Sequence, residues 1–277
     1  MKRLPDNPLA NPDGVVVLAH RGWRGRYPEN TMLSFQQAAA LGVDALEMDI
    51  HSTADGVLVV FHDDTLERTT NGRGPIHALT WAELQQLDAG YNWTNDGGQT
   101  YPFRGQGLTV PALSEVFTAF PDFWLNIDIK QRQPNIVRPF AQMIRDYGLA
   151  RQLCVASFHT ETSEEFRREF PEVVTSASLS ETRRLLILNK LHLGRFYRGQ
   201  GRAFQPPEYE GRLHVVTRRF VEDAHRHNVA VHVWTVNEIS DMERLIDMGV
   251  DGLITDFPDR LLRLLGRLEP NEPPQRS

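Results

Sequence analysis

The chain has 277 residues, with 30 lysines and arginines against 36 aspartates and glutamates, a net charge of −6. That length excludes a short disulfide-stapled module, and the charge argues against a nucleic-acid binder relying on bulk positive potential. With 40% apolar and 24% charged residues, it has material for a buried core and no composition of a disordered or collagenous chain.

In chain order, Met1 to Gly14 carries Pro5, Asp6, Asn7, Pro12 and Asp13 where a secretory signal would be apolar, so a cytoplasmic location is expected. No window approaches the roughly 20 apolar residues that span a bilayer. Beyond it, apolar runs of strand length alternate with stretches of helical period. Eight runs are expected as parallel strands: Val15 to Ala19, Ala45 to Ile50, Leu125 to Ile129, Leu153 to Ser157, Val173 to Leu179, Ala203 to Gln205, Val229 to Val236 and Gly252 to Thr255. A ninth, Leu58 to Phe61, follows the Asp55-Gly56 turn and should pair with the second as a hairpin. Cys154, the one cysteine, sits in an apolar run and reads as a small buried hydrophobe. Eight βα units in about 250 residues predict an α/β chain folded as a (β/α)8 TIM barrel. It is expected to be one domain over residues 1–277, with a small insertion after the second strand. That insertion, about residues 64–111, is too long for a loop and rich in turn residues such as Asn71, Gly72, Gly97 and Gly98. The tail from Glu269, with three prolines, reads as a loose end.

Reactive side chains collect at the carboxyl ends of these strands, the rim where barrel enzymes place their sites. His20 and Arg21 close the first strand, and His62 and Asp63 end the hairpin strand. Glu47 and Asp49 lie two apart on the second, so both carboxylates point the same way; Asn126, Asp128 and Lys130 share a face by the same period. Each has an ordinary alternative: a solvated carboxylate pair, or histidines that satisfy nearby backbone or the carboxylates of Asp63 and Asp64. Together they suit other work. Three carboxylates without a nearby cysteine suit a hard ion such as Mg²⁺ or Ca²⁺. Two histidines can divide proton removal and donation. Arg21 and Lys130 can neutralise the carboxylates or hold phosphate oxygens. Phe158 and Trp234 can wall the mouth, and His232 reads as an interior polar residue.

The ordered motifs Ala19-His20-Arg21-Gly22, Pro28-Glu29-Asn30-Thr31, Glu47-Met48-Asp49 and His62-Asp63 resemble those of the glycerophosphodiester phosphodiesterases. Trp234-Thr235-Val236-Asn237 and Gly249-Val250-Asp251-Gly252-Leu253-Ile254-Thr255-Asp256 extend the resemblance to roughly residues 15–265. It implies a barrel with an insertion after the second strand, His20 and His62 as the acid-base pair, Arg21 and Lys130 on the phosphate, and Glu47, Asp49 and Asp128 holding one divalent cation, Mg or Ca. Asp128 departs from the glutamate usual at its position. Glu29 and Asn30 either arrange the first loop or cap the helix that starts near Thr31.

The Asn126-Ile127-Asp128-Ile129-Lys130 wording, with Val116-Phe117-Thr118-Ala119-Phe120-Pro121 upstream, resembles the lysophospholipase D branch, which releases the headgroup alcohol of lysophospholipids. Residues 181–202 mix leucines with arginines and hold a single acidic residue. They are expected either to touch an anionic membrane surface peripherally or to form a barrel helix with solvated arginines. The implied substrate is a small-molecule or lysolipid phosphodiester bound by Arg21, Lys130 and Trp234, with no nucleic acid. Two rivals are a non-catalytic phosphate- or lipid-binding barrel and an aldolase-like barrel using Lys130 as a Schiff base.

Overall fold

The computed structural model describes Leu4, residues 7–11 and residues 14–269. The expected loose tail lies outside them beyond Glu269, and the reading of the amino terminus falls partly outside them too.

All eight expected runs contain strands: β1 (Val16–Ala19), β2 (Ala45–Ser52), β4 (Trp124–Ile129), β5 (Leu153–Ala156), β6 (Val174–Thr175), β7 (Ala203–Phe204), β10 (Ala230–Val233) and β11 (Gly252–Thr255). They are parallel in the order β6-β5-β4-β2-β1-β11-β10-β7. A parallel bridge between Ser176 and Ala203 joins the two ends, so the sheet closes into a (β/α)8 barrel. The expected hairpin strand is β3 (Leu58–Val60), antiparallel to β2, with Gly56 at φ +83° supplying the left-handed turn residue. Six of the seven helices α1 (Met32–Ala40), α3 (Leu113–Ala119), α4 (Val137–Tyr147), α5 (Thr160–Glu169), α6 (Leu179–Lys190), α7 (Arg218–Arg226) and α8 (Ile239–Met248) directly precede the next parallel strand, α7 following a short hairpin, and α9 (Pro258–Leu264) follows β11.

Period-two alternation sorts each strand between two environments. Along β2, Leu46, Met48 and Ile50 face outward into the shell between sheet and helices, with Phe35, Phe117 and Phe140. Ala45, Glu47 and Asp49 face inward. Burying the apolar row stabilises by roughly 1.5–3 kcal/mol per large side chain, which holds the inward carboxylates in a place they would otherwise leave.

Two expectations change. The run Val173 to Leu179 is a strand only at Val174–Thr175, because Ser178 caps α6: its hydroxyl accepts from the Glu181 N–H and the Glu181 carboxylate accepts from the Ser178 N–H at 2.7 Å. After β7, Pro206 and Pro207 lack the N–H groups that would continue the ladder. The chain instead makes an unforeseen hairpin, β8 (Tyr209–Glu210) with β9 (Leu213–His214). The insertion over residues 64–111 holds a 3-10 turn (Ile76–Ala78), the short helix α2 (Trp81–Leu84) and its own apolar cluster of Leu66, Ile76, Leu84 and Val110 against Val59 and Phe61.

The amino-terminal residues stopper the opposite end of the barrel. Leu4 and Leu9 pack with Cys154, Ala203 and Ala230. The Asn7 amide donates to the carbonyls of Arg202 and Asn228 at 2.7 and 3.0 Å. His232 is 2% exposed and pairs with the Leu9 carbonyl at 2.7 Å, as an interior polar residue does. Among the described residues, no helix is long and apolar enough to cross a membrane.

Candidate active site

The eight residues expected to serve catalysis, substrate or cation line one cavity of about 450 Å³ at the carboxyl ends of the strands: His20, Arg21, Glu47, Asp49, His62, Asp128, Lys130 and Trp234. The parallel register sets Glu47 beside Asn126 and Asp49 beside Asp128, which brings three inward carboxylates together. Arg21 sits at φ +54° and Gly22 at φ +80°, a tight left-handed turn that aims the Arg21 N–H at Glu47 Oε2, 2.9 Å away. A Cβ on Gly22 would stand 2.4 Å from Ser34 Oγ and 2.7 Å from its carbonyl carbon, so only glycine fits.

Asp49 and Asp128 are matched by cations, and Glu47 is not. Asp49 meets Lys130 Nζ at 3.1 Å and Arg21 Nε at 3.2 Å and accepts from Asn30 Nδ2 at 3.1 Å. Lys130 also donates to Asp128 Oδ2 at 2.6 Å. Burial alone would raise the Asp49 carboxyl, but Lys130 and Arg21 together hold it below the usual carboxylate range. Glu47 goes the other way: burial first, then the charge of Asp49, push it up to about 7. Lys130 is raised because Asp128 and Asp49 outweigh its burial, so it stays an ammonium ion, contrary to what a Schiff-base lysine needs.

Each histidine has its own carboxylate. His20 Nδ1 is 2.6 Å from Asp256 Oδ1, and His62 Nδ1 is 2.5 Å from Asp63 Oδ1. Both aspartates are held below their ordinary values, against burial: Asp256 by His20, Arg24 and Asn237, Asp63 by Arg68 and His62. A carboxylate can only accept, so each ring carries its proton on Nδ1 and leaves Nε2 for other chemistry.

Behind the histidines lies a ring of charge that the sequence reading missed. Arg24 bridges Asp256 at 3.2 Å and Glu29 at 2.8 Å; Arg68 bridges Asp63 at 2.5 Å and Glu29 at 2.7 Å; and Arg21 donates to Glu29 at 2.8 Å. Glu29 therefore joins both histidine–aspartate pairs, with its pKa driven down by three guanidinium groups despite burial. The alternative offered for Glu29 and Asn30, capping α1, falls to Thr31 and Ser34 instead. Asp256 was findable: it follows β11 at the same rim position that singled out His20 after β1.

The other half of the cavity is apolar. Phe158 and Trp234 meet edge to face with centroids 5.7 Å apart, and Lys130 lies 4.8 Å above the Phe158 ring. Trp234 Nε1 donates to the Gln205 carbonyl at 2.5 Å, which fixes its indole. Pro206, Pro207, Leu179, Leu186, Leu213 and Val215 complete this wall.

Whether a divalent ion fits can be asked of the donors themselves. Among the described residues, no three His, Cys, Asp or Glu side chains are arranged to close on a metal, and Lys130 bridges Asp49 to Asp128. Yet Asp128 Oδ1 is buried without a hydrogen-bond partner, and burial and the charge of Asp49 raise Glu47 despite His20, Arg21 and Lys130 nearby. Two carboxylates in that condition, beside the hard oxygens of Asp49, fit a divalent cation.

A model of the glycerophosphoryl diester phosphodiesterase family matches residues 20–260. The chain belongs to that family. A glycerophosphodiester phosphodiesterase from Caldanaerobacter subterraneus subsp. tengcongensis is 32% identical over 256 residues, covering 91% of this chain and 98% of the relative. Lysophospholipase D GDPD1 from Rattus norvegicus is 27% identical, covering 91% and 86%. Among solved structures, an Oleispira antarctica phosphodiesterase in complex with the product sn-glycerol-3-phosphate superposes with a TM-score of 0.71 at 27% identity, covering 91% of this chain and 96% of that one. This glycerophosphodiester phosphodiesterase family member is a phosphoric diester hydrolase, which displaces the non-catalytic and aldolase-like expectations.

Proposed function

We propose that the enzyme cleaves a glycerophosphodiester carrying one acyl chain, releasing the headgroup alcohol as a lysophospholipase D does. The observation that carries this reading is the join in one cavity of a charged half and an apolar half, the second walled by Phe158, Trp234, Leu179, Leu186 and Leu213. A deacylated glycerophosphodiester is polar throughout and leaves that wall unused, whereas an acyl chain burying it gains roughly 0.8 kcal/mol per methylene. The similarity to the rat enzyme supports it.

In this reading the phosphate lies between Lys130 and the Arg21 edge of the carboxylates, and Trp234 borders its glycerol. Nε2 of one histidine takes the proton of the attacking hydroxyl as its oxygen bonds to phosphorus; the other histidine, entering the step protonated on both nitrogens, gives its Nε2 proton to the departing alcohol as the P–O bond to it breaks. Asp256 and Asp63 hold the rings in the tautomer that makes this exchange possible. Glu47, Asp49 and Asp128 would hold a divalent cation, Mg²⁺ or Ca²⁺, whose charge would offset the negative charge developing on the phosphoryl oxygens. Arg21 and Lys130 keep Asp49 ionised, and Lys130 also holds Asp128 in place.

The deciding measurement is choline release from lysophosphatidylcholine and from glycerophosphocholine, after EDTA treatment and after restoring Mg²⁺ or Ca²⁺. We expect a higher kcat/KM on the acylated substrate and loss of both activities in EDTA. A preference for the deacylated diester would overturn the lysophospholipase D reading, and full activity in EDTA would remove the cation.

A further inference from the structure

The exposed large apolar side chains of this protein are unevenly placed. Besides Phe158 at the mouth, Leu179, Ile187, Leu191, Leu193, Phe196, Tyr209 and Leu213 crowd into one stretch of 35 residues, whereas the rest of the described chain adds Tyr147 and Ile239. Ile187, Leu191 and Phe196 are 60%, 61% and 56% exposed, values at which packing on the barrel cannot be their role. The barrel-facing work of α6 is done by Leu185, fully buried, with Leu186 and Leu188 beside it.

Charge follows the same pattern. Between Thr182 and Arg202 an acidic protein places six basic residues and no acidic one. Arg183, Arg184, Lys190, Arg195 and Arg198 are exposed and pair with no carboxylate among the described residues; Arg195 instead stacks 4.7 Å over the exposed Phe196 ring. The one acidic residue in the segment from Leu179 to Arg202, Glu181, is buried and spent on Arg167 at 2.8 Å. Geometry ties this face to the site, because the first turns of α6 place Leu179, Arg183 and Leu186 on the cavity wall, and Ile187 and Leu191 continue the helix outward from them.

We propose that α6 and the following residues through Phe196 form a docking face for an anionic phospholipid surface. Apolar side chains enter the acyl boundary while the arginines, which meet no carboxylate, and Lys190 meet the phosphates, and the cavity wall opens onto the same surface. Interspersed cations that meet no carboxylate are the chemistry of an anionic lipid sheet rather than of a twofold dimer through this face, which would set the same cations against one another. The proposal rests on the lysolipid reading above for its purpose, though not for its test.

The test is flotation of the full chain with vesicles of phosphatidylcholine, with and without phosphatidylglycerol. The wild type should bind the phosphatidylglycerol vesicles, less so as salt is raised. The charge variant Lys190→Glu/Arg195→Glu should bind roughly fivefold more weakly per cation removed. The apolar variant Ile187→Ser/Phe196→Ser should lose most of the remaining binding at high salt. Both should hydrolyse glycerophosphocholine as the wild type does, which shows an intact fold and site. Failure of the wild type to bind, or variants that bind equally well, would overturn the docking face. So would a wild-type dimer in sedimentation that Ile187→Ser/Phe196→Ser splits. Residue-dependent binding without lysolipid turnover would uphold docking and overturn the substrate reading alone.

Discussion

The two halves of the barrel mouth are built on opposite principles. From β1 to β4 the charges other than Glu47 meet a counter-charge, and the side chains lock one another: Asp49 alone holds Arg21, Asn30 and Lys130. From β6 to β10 the wall is mostly carbon, with Arg183 and Glu210 among its few charges, and is bounded by a short hairpin and by a helix whose outer face stays bare. The first half is preorganised for one reacting group, since a buried charge that moved would lose its partner. The second fixes no such geometry and can accept chains of varied length, because apolar contact is nearly direction-free.

The largest effect expected from breaking the polar half is at the histidines. His20→Ala and His62→Ala should each lower kcat by about 10²- to 10⁴-fold on either substrate, with the thermal midpoint little changed. Substrate-selective loss would erase the distinction between the halves.

Next comes the anchor of the apolar half. Glu181 accepts from Arg167, Ser178 and Gln200 within 2.8 Å and closes the capping box in the first turn of α6. Burial opposes its ionisation, but Arg167 and the two backbone donors draw its pKa down to about 2, from an ordinary value of 4.5. A depressed carboxylate stabilises the fold above its unfolded pKa and loses that contribution as pH falls. Glu181→Gln should therefore cost about 3 kcal/mol of stability at neutral pH, and the gap in Tm from the wild type should narrow below pH 4.5 and close toward pH 2. A gap independent of pH would show that the charge is not what holds α6.

The smallest effect sharpens the comparison. Leu213→Ser should raise KM for lysophosphatidylcholine by roughly tenfold, the loss of a modest apolar contact, and leave glycerophosphocholine kinetics unchanged. An equal change on both substrates would mean that the wall shapes the charged half as well.

Much of this was legible in the chain. Strands declared themselves through short apolar runs, and the two-residue spacing of Glu47 and Asp49 already placed both on one face. The gathering of His20, Glu47, His62 and Asp128 followed from the rule that barrels collect chemistry at strand ends. Pairings across the sequence were not legible. His20 and Asp256 are 236 positions apart, and Glu29 gathers Arg21, Arg24 and Arg68 from three different distances along the chain. Local pattern carries no information on which carboxylate each arginine reaches. The stretch from 181 to 202 kept both of its readings open because a buried stripe and a bare face alternate on one helix, and only burial separates Leu185 from Ile187.

The amino-terminal stopper gives the single thiol an unexpected use. Burial pushes Cys154 up to about 12, so under ordinary conditions it holds its proton and resists alkylation. Leu4 and Leu9 supply part of that burial from outside the barrel strands. A chain begun at residue 15 would uncover Cys154 from below and leave the His232 ring without the Leu9 carbonyl. The protein thus carries its own reporter: the rate at which a maleimide labels Cys154 reads how often the floor of the barrel opens, with no label added near the catalytic rim.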